Sequence, residues 1–270
     1  MTTATLADGT QVFCLRKSEA HVLDHHIQGY MAHGIEFKRG NIIFDVGANI
    51  GLFGVRAMQA DPEAQVYAFE PIPSIYNVMK KNAERFGPGR YHAMPFGLSD
   101  KPGRLQFVYF PNSPALSTAH PEMWDENPGL FSKAVMGTLK NPPPHMWWTR
   151  WVPGFFAPLI AKILTRGREE VDGELRTISQ VIEDNEVPHI DLLKVDCEGA
   201  ELDVLLGLKE EHWPLVQKVV VEIHDVENRL QIIQDMLTKH GLTQQRIEKE
   251  EGLEATSLFN LYATRPTPET

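Results

Sequence analysis

Short apolar runs alternate with amphipathic segments along most of the chain, and this alternation predicts its secondary structure. A short run rich in β-branched and aromatic residues is typical of a buried strand, whereas apolar residues spaced three and four apart are typical of a helix. Strand, helix and strand in succession predict a parallel sheet. We therefore predict one doubly wound sheet across residues 41–265. Its predicted strands lie at residues 41–46, 65–70, around 94–97, 191–196, 218–224, 245–248 and 258–264.

Residues 1–40 precede this sheet and are predicted to form an extension. Two short β runs within residues 3–16 flank Asp8-Gly9, a dipeptide that favours a tight hairpin turn. Ser18 can cap a helix that runs to about Ala32, and Gly34 is placed to stop it. The prediction is an entry hairpin and helix, followed by the domain at 41–265.

Residues 111–174 interrupt the alternation and are predicted to be an insertion. The interval from Phe110 to Glu174 holds nine prolines and four of the five tryptophans. Loops this long inside compact domains are usually functional. Three interpretations stay open: a lid or substrate-pocket wall, a packed extension, and a docking patch. Residues 147–168 have the aromatic and basic composition of segments that lie on a membrane surface.

Composition narrows the functional class. The 270 residues carry 26 basic and 36 acidic side chains, a net charge of −10, which argues against nucleic acid as a partner. Two cysteines are too few for a disulfide framework or a thiolate zinc site. We find no apolar run long enough to span a bilayer and no secretory signal pattern at the start, so a cytoplasmic location is expected.

The turn after the first sheet strand, Asp45-Val-Gly-Ala-Asn-Ile-Gly, lies where open α/β sheets bind ligands. The dinucleotide pattern G-x-G-x-x-G would need glycine at Asn49 and Leu52, so a pyrophosphate cofactor is disfavoured. Glu70 ends the second strand, where an acidic residue accepts hydrogen bonds from ribose hydroxyls. A sulfonium cofactor that carries adenosine but no phosphate is compatible with both features.

Five motifs occur in order at the predicted strand ends: Asp45-Val-Gly-Ala-Asn-Ile-Gly, Phe69-Glu-Pro, Phe96-Gly-Leu-Ser, Lys194-Val-Asp-Cys-Glu-Gly-Ala-Glu and Val221-Glu-Ile-His. Together they resemble the FkbM family of S-adenosylmethionine-dependent methyltransferases. The resemblance implies a class I methyltransferase, Rossmann-like fold with a seven-stranded, mostly parallel sheet whose last strand is antiparallel. It also implies O-methylation of a hydroxyl on a small-molecule acceptor such as a natural product, polyketide or sugar.

The resemblance also implies which residues contact the cofactor. Gly47, Asn49 and Gly51 would contact its methionine and ribose moieties, and Asp45 would hold the loop or the cofactor ammonium. On this basis Gly51→Val is expected to fill the space left for the ligand. Glu70 would contact the ribose. Gly97, Leu98 and Ser99 would flank the adenine, with Ser99 or Asp100 near its amino group. Asp196 is the last expected cofactor contact.

Polar side chains end two further predicted strands and are candidates for catalysis. Asp196 follows one strand, and Glu222 and His224 end the next. Deprotonation of an acceptor hydroxyl calls for a base, and His224 is expected to serve because its intrinsic pKa lies near neutrality. Asp196 or Glu222 would orient the imidazole. His21, His25 and His26 share the first helix, where a solvated or packing role is expected.

A metal-dependent variant also stays open, with Asp196, Glu222 and His224 as ligands of a divalent ion that would lower the pKa of a bound hydroxyl. The predicted function is an S-adenosylmethionine-dependent O-methyltransferase. The alternatives are a methyltransferase-like binding module without turnover and a nicotinamide-dependent oxidoreductase. Oligomeric state is not readable from the sequence.

Overall fold

The computed structural model describes residues 1–31, 33, 35–120, 132, 135–137, 139, 144–249 and 257–266. Within these residues, a seven-stranded mixed sheet forms the centre of the fold. Its strands are β3 (Ile42–Val46), β4 (Gln65–Phe69), β5 (Tyr91–Met94), β9 (Leu192–Val195), β10 (Lys218–His224), β11 (Gln244–Glu248) and β12 (Leu258–Thr264). Their order along the sheet is β11-β12-β10-β9-β3-β4-β5. Strand β12 pairs antiparallel with both β10 and β11, and the other pairs are parallel.

Helices cover both faces of this sheet, as expected for a doubly wound fold. The central strand β3 is buried at all five positions, because both of its faces are covered. Alternate residues of β10 face different layers: Val220 packs in one apolar cluster, and Val219 and Val221 pack in the other. The helices are α1 (Lys17–Tyr30), α2 (Leu52–Ala60), α3 (Pro73–Phe86), α4 (Ala157–Leu164), α5 (Ile178–Asp184), α6 (Glu201–Leu206) and α7 (Arg229–Lys239).

The class I methyltransferase fold inferred from the resemblance is therefore confirmed, including the antiparallel position of the last strand. Strands β10 and β12 have the predicted bounds. No helix among the described residues is long and apolar enough to cross a membrane.

The N-terminal hairpin and helix pack into the same core as the sheet. Strands β1 (Thr2–Thr5) and β2 (Gln11–Cys14) form the predicted hairpin. The side chain of Asn82 on α3 exchanges two hydrogen bonds with the backbone of Phe13, at 2.8 and 3.0 Å. Arg56 on α2 forms an ion pair with Asp24 on α1 at 2.7 Å. Helix α1 is thereby fixed across the edge of the sheet. The helix end predicted at Ala32 and the stop at Gly34 lie outside the described residues.

The predicted insertion at 111–174 is shorter in the structure at its C-terminal end. Residues Glu169–Arg176 form strand β8, which pairs antiparallel with β7 (Gly103–Tyr109) and parallel with β6 (Gly97–Leu98) in a second, three-stranded sheet. The connection between β7 and β8 is therefore 110–168. Residues 103–106 are exposed, so β7 lacks the apolar alternation that predicts a strand. Trp124, with residues 121–131, lies outside the described residues.

Candidate functional site

The turn after β3 carries three residues with left-handed backbone conformations. Gly47, Asn49 and Gly51 have φ angles of 71°, 51° and 81°. At Gly47 no side chain can be accommodated, because an ideal Cβ atom would lie 1.7 Å from the carbonyl oxygen of Asp196. The turn after β3 therefore lies directly against the backbone that follows β9.

Gly51 is required for a different reason from the predicted one. An ideal Cβ atom there would lie 2.4 Å from the hydroxyl oxygen of Tyr91 and 3.0 Å from Cγ of Met79. The Tyr91 hydroxyl also donates a hydrogen bond to the carbonyl oxygen of Gly51 at 2.8 Å. A valine at position 51 would therefore disrupt packing beneath the turn.

A buried ion pair fixes the turn from below. Asp45 is fully buried, and its Oδ1 lies 3.0 Å from Nζ of Lys194, which also donates to the carbonyl oxygen of Gly47 at 3.1 Å. Burial alone lowers the pKa of Lys194, but the charges of Asp45 and Asp196 outweigh burial and raise it, so the ammonium stays protonated. Apart from this ion pair, the carboxylate of Asp45 accepts no hydrogen bond of good geometry from the described residues. Of the two expected roles of Asp45, this contact supports the first, holding the loop.

Glu70 lies beside the turn, at the end of β4. Its side chain is buried, and Oε1 accepts a hydrogen bond from the N–H of Ile72 at 2.9 Å. Burial raises the pKa of Glu70 to about 7, against the opposing hydrogen bonds from Ile72 and Asn49. The carboxyl group therefore titrates near neutrality and, once ionised, is a strong acceptor at the edge of the turn.

The expected adenine contacts lie in the second sheet. Gly97–Leu98 form β6 and are buried; a Cβ at Gly97 would lie 3.0 Å from Leu175 and 3.4 Å from Pro71, which follows Glu70. The hydroxyl of Ser99 donates to Asp100 at 3.2 Å. The segment thus passes next to Pro71, the residue after Glu70, and Ser99 and Asp100 contact each other as in a turn.

Four polar side chains meet at the ends of β9 and β10. The hydroxyl of Tyr30 lies 3.1 Å from Oδ2 of Asp196, 3.0 Å from Oε2 of Glu222 and 2.7 Å from Nε2 of His26. Nε2 of His26 is also 3.0 Å from Oε2 of Glu222. We call these four residues the carboxylate cluster. Sequence reasoning missed His26 and Tyr30, although their separation by four residues places them on one face of α1.

His224 belongs to a separate group of charges. Its Nδ1 lies 3.1 Å from Glu201 and its Nε2 lies 3.4 Å from Glu198, while Arg229 pairs with the other oxygen of Glu201 at 3.3 Å. Burial alone lowers the pKa of His224, but Glu198 and Glu201 raise it well above 6.5. An imidazole that stays protonated at neutral pH cannot accept a proton, so the geometry disfavours the base role that was predicted for His224.

This setting predicts a pH-dependent contribution of His224 to stability. Because its folded-state pKa exceeds the unfolded value of about 6.5, the stabilisation is complete below that pH and is lost as pH rises through the folded-state pKa. We expect His224→Gln to lower the free energy of unfolding most at pH 6 and progressively less toward pH 9, with measurements at intervals of about one pH unit. Guanidinium unfolding of both proteins measures this, and a deficit independent of pH would contradict it.

The metal-ligand set suggested by the sequence is also revised. Among the described residues, the group whose ligand atoms lie within 4.8 Å of one another is His26, Asp196 and Glu222, with His224 outside it. Imidazole and carboxylates suit a divalent ion. The Tyr30 hydroxyl contacts all three groups, so an ion bound to the same three atoms would compete with these hydrogen bonds.

The start of the β7–β8 connection contacts both α1 and the turn after β9. The hydroxyl of Thr118 donates to the carbonyl oxygen of Glu198 at 2.6 Å, and the N–H of Ala115 donates to the half-buried carboxyl of Glu19 on α1 at 2.7 Å. Glu198 itself has a left-handed φ of 50°, a strained conformation for a residue with a side chain. Residues 110–120 therefore join α1 to the turn after β9, which supports the lid or pocket-wall interpretation for this part of the insertion.

Residues 45–245 match the family described as the methyltransferase FkbM domain. The chain is 31% identical over 245 residues to 31-O-demethyl-FK506 methyltransferase FkbM of Streptomyces tacrolimicus, covering 89% of this chain and 88% of the relative. It is 35% identical over 254 residues to methyltransferase sdnD of Sordaria araneosa, covering 90% of each. The crystal structure of methyltransferase FkbM from Methylobacillus flagellatus KT aligns with a TM-score of 0.49 at 14% identity, over 90% of this chain and 51% of that chain.

Proposed function

This chain belongs to the FkbM family of methyltransferases, and from that premise we propose that it moves the methyl group of S-adenosylmethionine to a hydroxyl oxygen of a small or medium-sized acceptor. One observation carries the proposal: the turn after β3 and the carboxylate cluster meet at one edge of the sheet, where Gly47 touches the backbone of Asp196. A cofactor on the turn and an acceptor at the cluster would therefore be neighbours.

The residues around the turn fit the cofactor chemically. Gly47 and Asn49 are half-buried, so the protein covers the backbone of the turn only in part. Glu70 is a buried carboxyl group with acceptor capacity beyond its bond to Ile72, which suits the two hydroxyls of a ribose. When bound, S-adenosylmethionine would supply the electrophilic methyl group. Gly47, Asn49 and Glu70 would hold it, while Asp45 and Lys194 keep the turn in place.

The titration of Glu70 gives a direct test of this cofactor assignment. With a pKa of about 7 in the free protein, the carboxylate that accepts both ribose hydroxyls becomes available as pH rises. Affinity for S-adenosylhomocysteine should increase about tenfold between pH 6 and pH 8. Calorimetry at a series of pH values measures the dissociation constant.

The Glu70→Gln variant serves as the matched control, because it keeps the shape of the side chain and removes its titration. The cofactor amino group titrates in both proteins, so the difference between them isolates Glu70. The variant should bind more weakly at pH 8 and lose most of the pH dependence. Equal pH profiles for the two proteins would remove Glu70 from the cofactor site.

For the acceptor side we propose His26 as the general base. Its Nε2 would take the proton of the acceptor hydroxyl, and the carboxylate of Glu222, 3.0 Å away, would stabilise the resulting imidazolium. Tyr30 and Asp196 would orient the hydroxyl, since both carry polar atoms within the same cluster. Glu222 would thus stabilise the imidazole of His26 in place of that of His224, and Asp196 would act on the acceptor instead of on an imidazole. His224 becomes a positioning residue that holds the turn after β9 through Glu198 and Glu201.

The decisive experiment combines binding and turnover. Purified protein is titrated with S-adenosylhomocysteine in a calorimeter and then incubated with methyl-labelled S-adenosylmethionine and a panel of alcohols that includes polyketides and sugars. The relative from Streptomyces tacrolimicus is named for 31-O-demethyl-FK506, so this compound enters the panel first. We expect binding and label transfer to oxygen. Absence of cofactor binding would overturn the proposal, and binding without turnover on any acceptor would favour the non-catalytic module.

A further inference from the structure

An exposed apolar stretch lies in the second half of the β7–β8 connection. Six large apolar side chains between residues 147 and 163 are 54–75% exposed. Soluble proteins rarely expose so many large apolar groups in so short a segment unless the surface binds something. The six are Trp147, Trp148, Trp151, Phe155, Leu159 and Ile163.

Helix α4 shows that this exposure is directional. Ala157 and Ala161, one turn apart, are buried against the protein, whereas Leu159 and Ile163, also one turn apart, point away from it. The helix therefore presents two large apolar residues outward, whereas an ordinary surface helix presents polar residues there; Ile160 and Leu164 are half-buried. Such an arrangement is stable when the outward face enters an apolar medium.

The charge of the stretch is opposite to that of the whole chain. Residues 144–168 contain four basic residues and no acidic residue, in a protein of net charge −10. Arg150 lies over the rings of Trp147 and Trp151, at 5.9 and 5.4 Å from their centroids. Lys162 and Arg166 are exposed beside the apolar face of α4. Local positive charge beside exposed tryptophan is complementary to an anionic surface with an apolar layer beneath it.

We propose that residues 147–166 form a docking surface for an anionic lipid bilayer. Tryptophan and leucine side chains of such a surface enter the boundary between headgroups and acyl chains, while Lys and Arg contact the headgroups. The chain would lie on the membrane without spanning it. This inference is independent of the proposed methyl transfer, because none of these residues belongs to the carboxylate cluster or to the turn after β3.

Sedimentation of the full chain with vesicles tests the proposal. One set contains phosphatidylcholine with about one third phosphatidylglycerol, and the other contains phosphatidylcholine alone. We expect partition onto the anionic vesicles that weakens with added salt. The Trp148→Ala/Trp151→Ala double variant should partition at least about tenfold more weakly, and so should Lys162→Glu/Arg166→Glu.

The matched control is Ile232→Ala on α7, which removes a side chain of 43% exposure outside this surface and should leave partition unchanged. All substituted positions are exposed, so thermal unfolding should confirm that every variant is folded. Absence of binding to anionic vesicles overturns the proposal, as does binding that neither double variant weakens. Concentration-dependent dimers that the tryptophan variant abolishes, without vesicle binding, would instead assign the surface to a second copy of the chain.

Discussion

Gly47→Ala is expected to abolish binding of S-adenosylhomocysteine and to destabilise the protein by about 4 kcal/mol or more. The added methyl group would lie 1.7 Å from a backbone oxygen that cannot rotate away, and the positive φ of 71° adds strain of its own. Relief requires β3 and β9 to separate at the point where the proposed cofactor site lies. Denaturant unfolding and calorimetry measure the two effects.

Gly40→Ala separates the backbone strain from the collision. Gly40 has a similar φ of 77°, but an added Cβ there would have no neighbour within 4 Å. This variant should lose only about 1–2 kcal/mol and keep its affinity for the cofactor. A Gly47→Ala protein as stable and as competent in binding as Gly40→Ala would mean that the turn after β3 is placed incorrectly.

His26→Ala is expected to reduce kcat by about 10²–10⁴ with cofactor affinity almost unchanged. In the proposed mechanism the imidazole takes the acceptor proton, and its neutral form is required. The wild-type rate should therefore fall on the acidic side of its pH profile, and the variant should lose that limb. Label transfer from S-adenosylmethionine, measured across the pH range, gives both quantities.

His25→Ala is the matched control, since His25 adjoins His26 on α1 but is exposed. It should retain the wild-type rate and pH profile. Tyr30→Phe keeps the ring and removes the hydroxyl that joins His26, Asp196 and Glu222, so it should raise KM or lower kcat without removing the acidic limb. If His26→Ala and His25→Ala have the same kcat, then His26 is not the base.

The sheet could be predicted from the sequence because its strands carry their own signal. The segment Lys218–His224 is rich in β-branched residues, with Val219–Val221 and Ile223, and it forms β10 with the predicted bounds. The second sheet could not be predicted, because half of β7 is exposed and its partner β8 follows a connection of residues 110–168. Pairing across such a distance depends on tertiary packing, which local patterns do not report.

The residues of the candidate site could likewise be predicted only where they lie on the strands of the main sheet. Residues at strand ends, such as Asp196 and Glu222, could be expected to meet because parallel strands end at one edge of a sheet. The histidine could not be chosen this way. His224 lies two residues beyond Glu222 on the same strand, yet Glu198 and Glu201 engage it, whereas His26 arrives from a helix far away in the sequence. The burial that raises the pKa of Glu70 to about 7 could not be predicted either, because it depends on packing around the side chain.

The position of α1 has a consequence for how this domain can be cut. The family match begins at residue 45, but His26 and Tyr30 precede it and complete the carboxylate cluster. A fragment trimmed to the matched residues would keep the turn after β3 and lose half of the groups proposed to handle the acceptor. Transplanting the matched segment alone into another protein would move the residues proposed to hold the methyl donor and leave the proposed base, His26, behind.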